Sequence, residues 1–197
     1  MRYDIRMSDA LVPKTRARAS VILWIALAGG FLAAGCAIAA ESYTSSATLR
    51  LLPPQSSQVP ERLVGAVSGG PIAQQFERLA QKAFSATNLA AIIERLNLYP
   101  SDRERKTAEQ TATEMRRNIT LQPERPESSN YRLSFSYSDA KNAQAATLEL
   151  VKGLTIEHAI ERMARADASK DEEVRHLINA GFGETLDWVE LPSLPEK

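Results

Sequence analysis

Cys36 carries the most distinctive reactive group in the sequence, because its thiol follows the lipobox-like run Leu32-Ala33-Ala34-Gly35. A bacterial lipobox cysteine is lipidated and becomes the new N-terminus, so the motif predicts a lipoprotein as one alternative. Directly after it, Ala37-Ile38-Ala39 has the small-x-small form of a signal peptidase site, which predicts a released domain as a second alternative. The simplest interpretation of Cys36 is a small apolar residue within a membrane helix.

The other reactive side chains form no recognisable catalytic or metal-binding pattern. The sequence contains neither a G-x-x-x-x-G-K-S/T phosphate loop nor a G-x-S-x-G nucleophile motif. His158 and His176 have no second ligand at metal spacing, so we expect both at the solvated surface. The carboxylates alternate with Arg and Lys, as on solvated helix faces. We therefore predict a protein that is not an enzyme, with no catalytic residue, metal site or cofactor.

The cysteine lies inside a run of 22 residues, Ala19 to Ala40, that has no charged side chain. A helix of this length spans roughly 33 Å, which is enough to cross a bilayer. The apolar core of a cleaved signal is usually shorter, about 7 to 15 residues, so a retained anchor is the favoured interpretation. Five basic residues precede the run, whereas the first charge after it is Glu41, which predicts a cytoplasmic N-terminus.

The predicted span divides the chain into four parts. We expect a cytoplasmic tail at 1–18, a transmembrane helix at 19–40, a small mixed domain at 41–168, and a helix end with a proline-containing segment at 169–197. The domain has the size of one ordinary folding unit. The 24 basic and 24 acidic residues are interleaved and give no net charge, so no basic face predicts a nucleic-acid partner.

Alternating and helical patterns predict the elements that follow the span. Strands are expected at Tyr43–Leu52, 119–121 and Tyr131–Tyr137, with 185–191 returning to the same sheet. Tyr131, Phe135 and Tyr137 share one parity, which favours the core over stacking on a sugar. Helices are expected from Pro71 to about 84, at 88–96 and at 101–117, and residues 55–70 are expected to form a connection. In the first helix, Ile72, Phe76 and Leu79 predict the buried face and Gln75 an exposed one.

The longest predicted helix covers Ala140 to Ala168, with Ser138 or Asp139 as its cap, and residues 171–180 are expected to continue it. Its length of roughly 40 Å exceeds a compact domain of this size. Its apolar residues form a continuous stripe that drifts along the helix and comprises Ala143, Ala146, Thr147, Leu150, Leu154, Ile156, Ile160 and Met163. The charged far half is expected to reach away from the core or to lie against a neighbouring subunit.

The order of several segments resembles the N-terminal domain of the polysaccharide chain-length determinants, also called polysaccharide co-polymerases. The span runs directly into YTSSATLRLLPP, and FSATNLAAIIERLNLYP, EMRRNITLQP and YRLSFSYSDAKNAQAATLELV follow. In the last segment, Ser136-Tyr137-Ser138-Asp139 looks like the family's turn into a helix with an Ala-Gln pair, here Ala143-Gln144. Relative to the family pattern, this sequence is expected to be a single-pass, truncated form without a fused tyrosine-kinase domain.

The resemblance implies an α+β fold, with one N-terminal transmembrane helix followed by a small mixed periplasmic domain and a long C-terminal helix. It also implies a non-catalytic role in O-antigen, capsule or exopolysaccharide synthesis at the bacterial inner membrane, where homo-oligomers regulate chain length or export. The implied partners are the membrane, a polymerase or export machinery, and a glycan. The alternative function is a lipid-anchored (Cys36) or secreted periplasmic binding or adaptor module of the cell envelope.

Overall fold

The computed structural model describes residues 42–54 and 59–194, which form a mixed α+β domain. Its four strands are β1 (Tyr43–Leu52), β2 (Ile119–Pro123), β3 (Asn130–Tyr137) and β4 (Thr185–Glu190). They form one antiparallel sheet in the order β2-β3-β1-β4. The α+β class and the return of the last strand to the sheet confirm the sequence prediction.

Seven helices are present among the described residues. They are α1 (Glu61–Val67), α2 (Ile72–Ala83), α3 (Ala86–Arg95), α4 (Pro100–Arg103), α5 (Ala108–Arg117), α6 (Ala140–Ala168) and α7 (Glu172–Asn179). The bounds of α6 are those predicted from the sequence. Asp139 caps it by accepting a hydrogen bond from the backbone N–H of Asn142 at 2.8 Å.

The central ladder joins β1 to β3 and presents its apolar side to the helices. Ala47 lies opposite Leu133 and Leu49 lies opposite Tyr131, and all four side chains are buried. The alternation along both strands places these residues on one face, because successive strand side chains point to opposite sides. Helix α6 covers this face with Ala146, Leu150 and Leu154, which belong to the same core cluster. The predicted core role of the β3 aromatic residues is therefore confirmed for Tyr131 and Phe135, and Tyr137 packs against them.

Three local predictions are wrong, two of them because a capping signal starts a new helix. The helix predicted at 101–117 is two helices, since Thr107 and Gln110 form a capping box that starts α5 anew. Residues 171–180 do not continue α6, because the Asp171 carboxylate accepts from the backbone N–H groups of Glu173 and Val174 and starts α7. The predicted connection at 55–70 contains α1, whose Leu63 and Val67 are buried.

The far half of α6 does not simply reach away from the domain. One of its faces packs, together with α1 and α7, into a second apolar cluster that is separate from the main core. We call it the second cluster, and its residues are Val59, Leu63, Val67, Ala166, Val174, Leu177 and Ile178. It was not predicted because its residues come from separate segments of the chain, at 59–67 and 166–178, and no local pattern pairs them.

A buried carboxylate joins this region to the start of α2. Glu184 is only 3% exposed and accepts hydrogen bonds from the Ser68 hydroxyl, the Gly69 backbone N–H and the Gln75 side-chain amide at 2.8–2.9 Å. An Arg165 guanidinium nitrogen lies 3.7 Å from the same carboxylate. We call these five residues the Glu184 cluster. The predictions that Gln75 is exposed and that the carboxylates lie on solvated faces are wrong here, because the two side chains bury each other's polar groups.

The predicted membrane span lies outside the described residues, as does Cys36. Within 42–54 and 59–194, no helix combines the length and the hydrophobicity that a bilayer crossing requires.

Substitution of Gly69 tests the packing of the Glu184 cluster, and substitution of Gly65 is the control. A Cβ at Gly69 would lie 2.6 Å from Gln75 Oε1 and 2.7 Å from Glu184 Oε2, whereas a Cβ at Gly65 would meet nothing within 4 Å. We expect Gly69→Ala to lower the free energy of unfolding by about 1–3 kcal/mol, because both buried partners must move. The control, Gly65→Ala at an exposed position of helix α1, is expected to raise it by about 0.5–1 kcal/mol. Chemical denaturation followed by circular dichroism measures both, and equal effects would contradict the described packing.

Candidate interaction surface

The sequence pattern predicts a surface position for both histidines, but the structure exposes one and buries the other. His176 is exposed on α7, as predicted. His158 is buried, with an exposed fraction of 7%, so its predicted surface position is wrong. It lies on the packed side of α6, four residues after Leu154, and a three- or four-residue spacing keeps helical side chains on one face. The four-residue spacing from Leu154 could be read from the sequence, but the charged residues next to His158 favoured a surface position instead.

Glu124 lies beside the β2–β3 hairpin, and its carboxylate accepts hydrogen bonds that favour the ionised form. Arg132 donates to Glu124 at 3.0 Å, and the Asn130 amide and the Thr48 hydroxyl donate at 3.3 Å. These hydrogen bonds, that of Arg132 above all, lower the pKa of Glu124. A carboxylate held in this state is poorly suited to act as a general acid. Within residues 42–54 and 59–194, no group of three His, Cys, Asp or Glu side chains is placed to hold one metal ion.

The most conspicuous surface feature is an apolar stripe on the outward face of α6. Ile156, Ile160 and Met163 are 58%, 47% and 54% exposed, and their spacing of four and three residues places them on one side of the helix. We call these three residues the outer stripe. They belong to the drifting stripe predicted along this helix, and the drift carries them away from the side that faces the core. At 100° per residue, Ile156 is rotated by about 200° from Leu154, so the two side chains point in nearly opposite directions.

A groove between α3 and α6 continues the outer stripe. It has a volume of about 340 Å³, and Ile156 forms part of its wall together with Ile92, Ala83, Ala91 and Gly153. The small residues leave room between the helices; a Cβ on Gly153 would come 3.8 Å from that of Ala83. Glu149 stands at the rim and pairs with Arg95 of α3 and with Lys152. The surface therefore has an apolar floor and charged edges, which is the usual arrangement of a protein-binding patch.

A second group of exposed apolar side chains follows the end of the sheet. Trp188 lies on β4 opposite Leu49, and its indole N–H donates to the Thr155 hydroxyl at 3.1 Å. This hydrogen bond fixes the ring at the side of α6 while 43% of the residue stays exposed. Val189, Leu191 and Leu194 are also exposed. Unlike the outer stripe, these residues are not arranged on one regular helix face.

Comparison with known proteins finds similarity among solved structures. No model of a known protein family matches the chain, and no curated protein matches it either. Among solved structures, the chain is similar to a fragment of WzzB, a polysaccharide co-polymerase from Salmonella Typhimurium. The match covers 80% of this chain and 98% of that one, at 12% sequence identity and a TM-score of 0.26. These comparisons do not establish membership in a family.

Two residues of α6 that are two positions apart test which side of the helix is buried. Leu154 is fully buried in the main core, whereas Ile156 is the most exposed residue of the outer stripe. We expect Leu154→Ala to lower the free energy of unfolding by about 2–5 kcal/mol, because it removes buried methyl groups and leaves a cavity. Ile156→Ala is expected to change it by less than about 0.5 kcal/mol. Thermal or chemical unfolding measures both; a loss at Ile156 comparable to that at Leu154 would place the outer stripe in the core.

Proposed function

We propose that this chain is a non-catalytic inner-membrane component of bacterial cell-surface polysaccharide synthesis that regulates chain length or export by assembling with copies of itself. The observation that carries the proposal is the outer stripe. Soluble domains seldom leave three large apolar residues aligned on one exposed helix face unless a partner covers them. The stripe and the adjoining groove share Ile156 and form one apolar face on α3 and α6, against which a neighbouring copy can pack.

The amino-acid sequence provides further support for the proposed role. The segments that resemble the chain-length determinants fall on β1, α3 and the β3-to-α6 turn, where Asp139 caps the long helix. The predicted span ends at Ala40 and β1 begins at Tyr43, so the sheet is expected to start directly at the membrane surface. In the proposed arrangement, the span fixes every copy in the same orientation. Contacts of the head-to-tail type between equally oriented copies close into rings.

The assembly is tested on the full-length chain extracted in detergent. We expect the native mass to correspond to several copies, and the triple variant Ile156→Ser, Ile160→Ser, Met163→Ser to lower it to that of fewer copies, because the stripe no longer supplies apolar area. The variant should keep the wild-type circular dichroism spectrum, since all three residues are exposed in the single chain. A matched control replaces Val189, Leu191 and Leu194 by serine and should keep the wild-type mass. A monomeric wild-type protein would contradict the proposal.

The biological role is tested by polysaccharide gels of the source bacterium. Deleting the gene is expected to change the length distribution or the exported amount of a surface polysaccharide, because the assembly that sets them is lost. The wild-type gene should restore the distribution, and the outer-stripe triple variant should not. An unchanged distribution after deletion would refute the role. The mass of the extracted chain separates the alternatives at the N-terminus: loss of residues 1–35 with an acyl group on Cys36 indicates the lipoprotein, and a chain that begins near Glu41 indicates the secreted module.

A further inference from the structure

The segment that follows β4 is fixed to the domain, yet it leaves two large apolar side chains exposed. Pro192 is buried, and its backbone carbonyl accepts a hydrogen bond from the Gln144 side-chain amide at 2.9 Å. The Ser193 carbonyl accepts from the Ser45 hydroxyl at 3.2 Å. The exposed residues on either side of these contacts, which we call the leucine pair, are Leu191 (59% exposed) and Leu194 (53%). Both side chains therefore project from a backbone that the domain holds in place.

The leucine pair lies at the end of the sheet where the chain enters it. Because β4 runs antiparallel to β1, the residues after β4 continue towards Tyr43. The hydrogen bond between Ser45 and Ser193 agrees with this course. The predicted span ends at Ala40, so three Cα steps of about 3.8 Å separate it from Tyr43. The leucine pair is therefore at the end of the domain that the chain connects most directly to the predicted span.

Three half-buried tyrosines lie at the same end of the sheet. Tyr43 is paired with Tyr137 across β1 and β3, and the Tyr99 backbone N–H donates to the Tyr137 hydroxyl at 2.8 Å. The rings of Tyr99 and Tyr137 meet edge to face, with their centroids 5.1 Å apart. Tyrosine is enriched at the headgroup level of a bilayer, because its ring is apolar and its hydroxyl is polar. This end of the domain thus combines exposed leucines with the aromatic residue typical of a lipid interface.

The other exposed apolar residues of α6 and β4 lie farther from this end. Trp188 is opposite Leu49, six positions from Tyr43, which is about 20 Å along a strand. Helix α6 starts three residues after β3 and runs past Trp188. Ile156 of the outer stripe follows the first residue of α6 by 16 positions, a rise of about 24 Å. A bilayer next to Tyr43 therefore reaches the leucine pair and not the outer stripe, so the two apolar surfaces fit different partners.

We propose that the leucine pair inserts into the interface of the bilayer that the predicted span crosses, so that the domain has a second contact with lipid. The inference rests on the membrane position in the proposed function and adds a contact that self-assembly does not require. The headgroup region on each side of a bilayer is about 5–7 Å thick, and apolar side chains at its inner boundary leave water. A second contact beside the covalent link restricts the tilt of the domain relative to the membrane.

Spin labelling of the full-length chain in nanodiscs of phosphatidylethanolamine and phosphatidylglycerol tests this contact. Cys36 is the only cysteine of the sequence, so Cys36→Ala allows one nitroxide at an introduced cysteine. Leu191→Cys and Leu194→Cys report on the leucine pair. Arg125→Cys is the matched control, because it is exposed in the turn between β2 and β3, at the opposite end of the sheet. Power saturation compares collisions with oxygen, which concentrates in lipid, and with a water-soluble nickel chelate. We expect an oxygen-to-nickel ratio several-fold higher at positions 191 and 194 than at position 125.

Two results would overturn the lipid contact and leave the proposed function standing. One is a ratio at both leucine positions equal to that at position 125 in an embedded chain, which would place the leucine pair in water. The other is a label shielded from both reagents, which would mean that protein covers the pair. Recovery of the chain outside the nanodiscs would refute the proposed membrane position together with the contact. The native mass of the labelled variants in detergent tests the assembly separately, and the two leucines are labelled singly so that either variant suffices.

Discussion

The structure depends on the burial of one face of the β1–β3 ladder beneath helix α6. Every inward position of the two strands from Ser45 to Leu51 and from Tyr131 to Phe135 is buried. The helix approaches closely because Ala143 and Ala146 face the sheet, and the Thr147 hydroxyl donates both to the Ala143 carbonyl and, at 3.4 Å, to that of Ser45. Small residues at the contact let larger side chains such as Leu150 and Phe135 interlock beside them.

The two faces of the sheet show why the helices gather on one side. On the face opposite α6, hydroxyl groups pair across the strands, with Thr44 and Ser136 at 2.7 Å and Ser46 and Ser134 at 2.9 Å. These pairs satisfy polar groups at low cost in contact with water but give no apolar area to bury. One-sided antiparallel sheets of this type keep one solvated face. The same asymmetry extends to α6, which is pinned to the sheet on one side and exposes its outer stripe on the other.

The two sides of the far half of α6 have different surroundings. One side carries Ile160 and Met163 to the surface, whereas the other side buries His158 and carries Arg165 to Glu184. Buried polar groups of this kind are costly unless their hydrogen bonds are met, and Glu184 meets them with donors from three different residues of the α1–α2 region. The position of the proposed assembly surface is thus tied to a polar cluster that lies on the opposite side of the same helix.

Elements with local and repeated signals can be predicted from the amino-acid pattern. The alternation of Tyr131 to Tyr137, the parity of β1 and the Asp139 cap with its long following helix all reappear in the structure, because period and capping act within a few residues. Which apolar and polar residues are covered, by contrast, follows from how distant segments pack. Ile156 and Leu154 are equally apolar, and Glu184 resembles any surface carboxylate in the sequence. Leu154 joins a core cluster that includes Leu49, and Glu184 accepts from the Gly69 backbone N–H, each about 100 positions away, and no local pattern encodes those contacts.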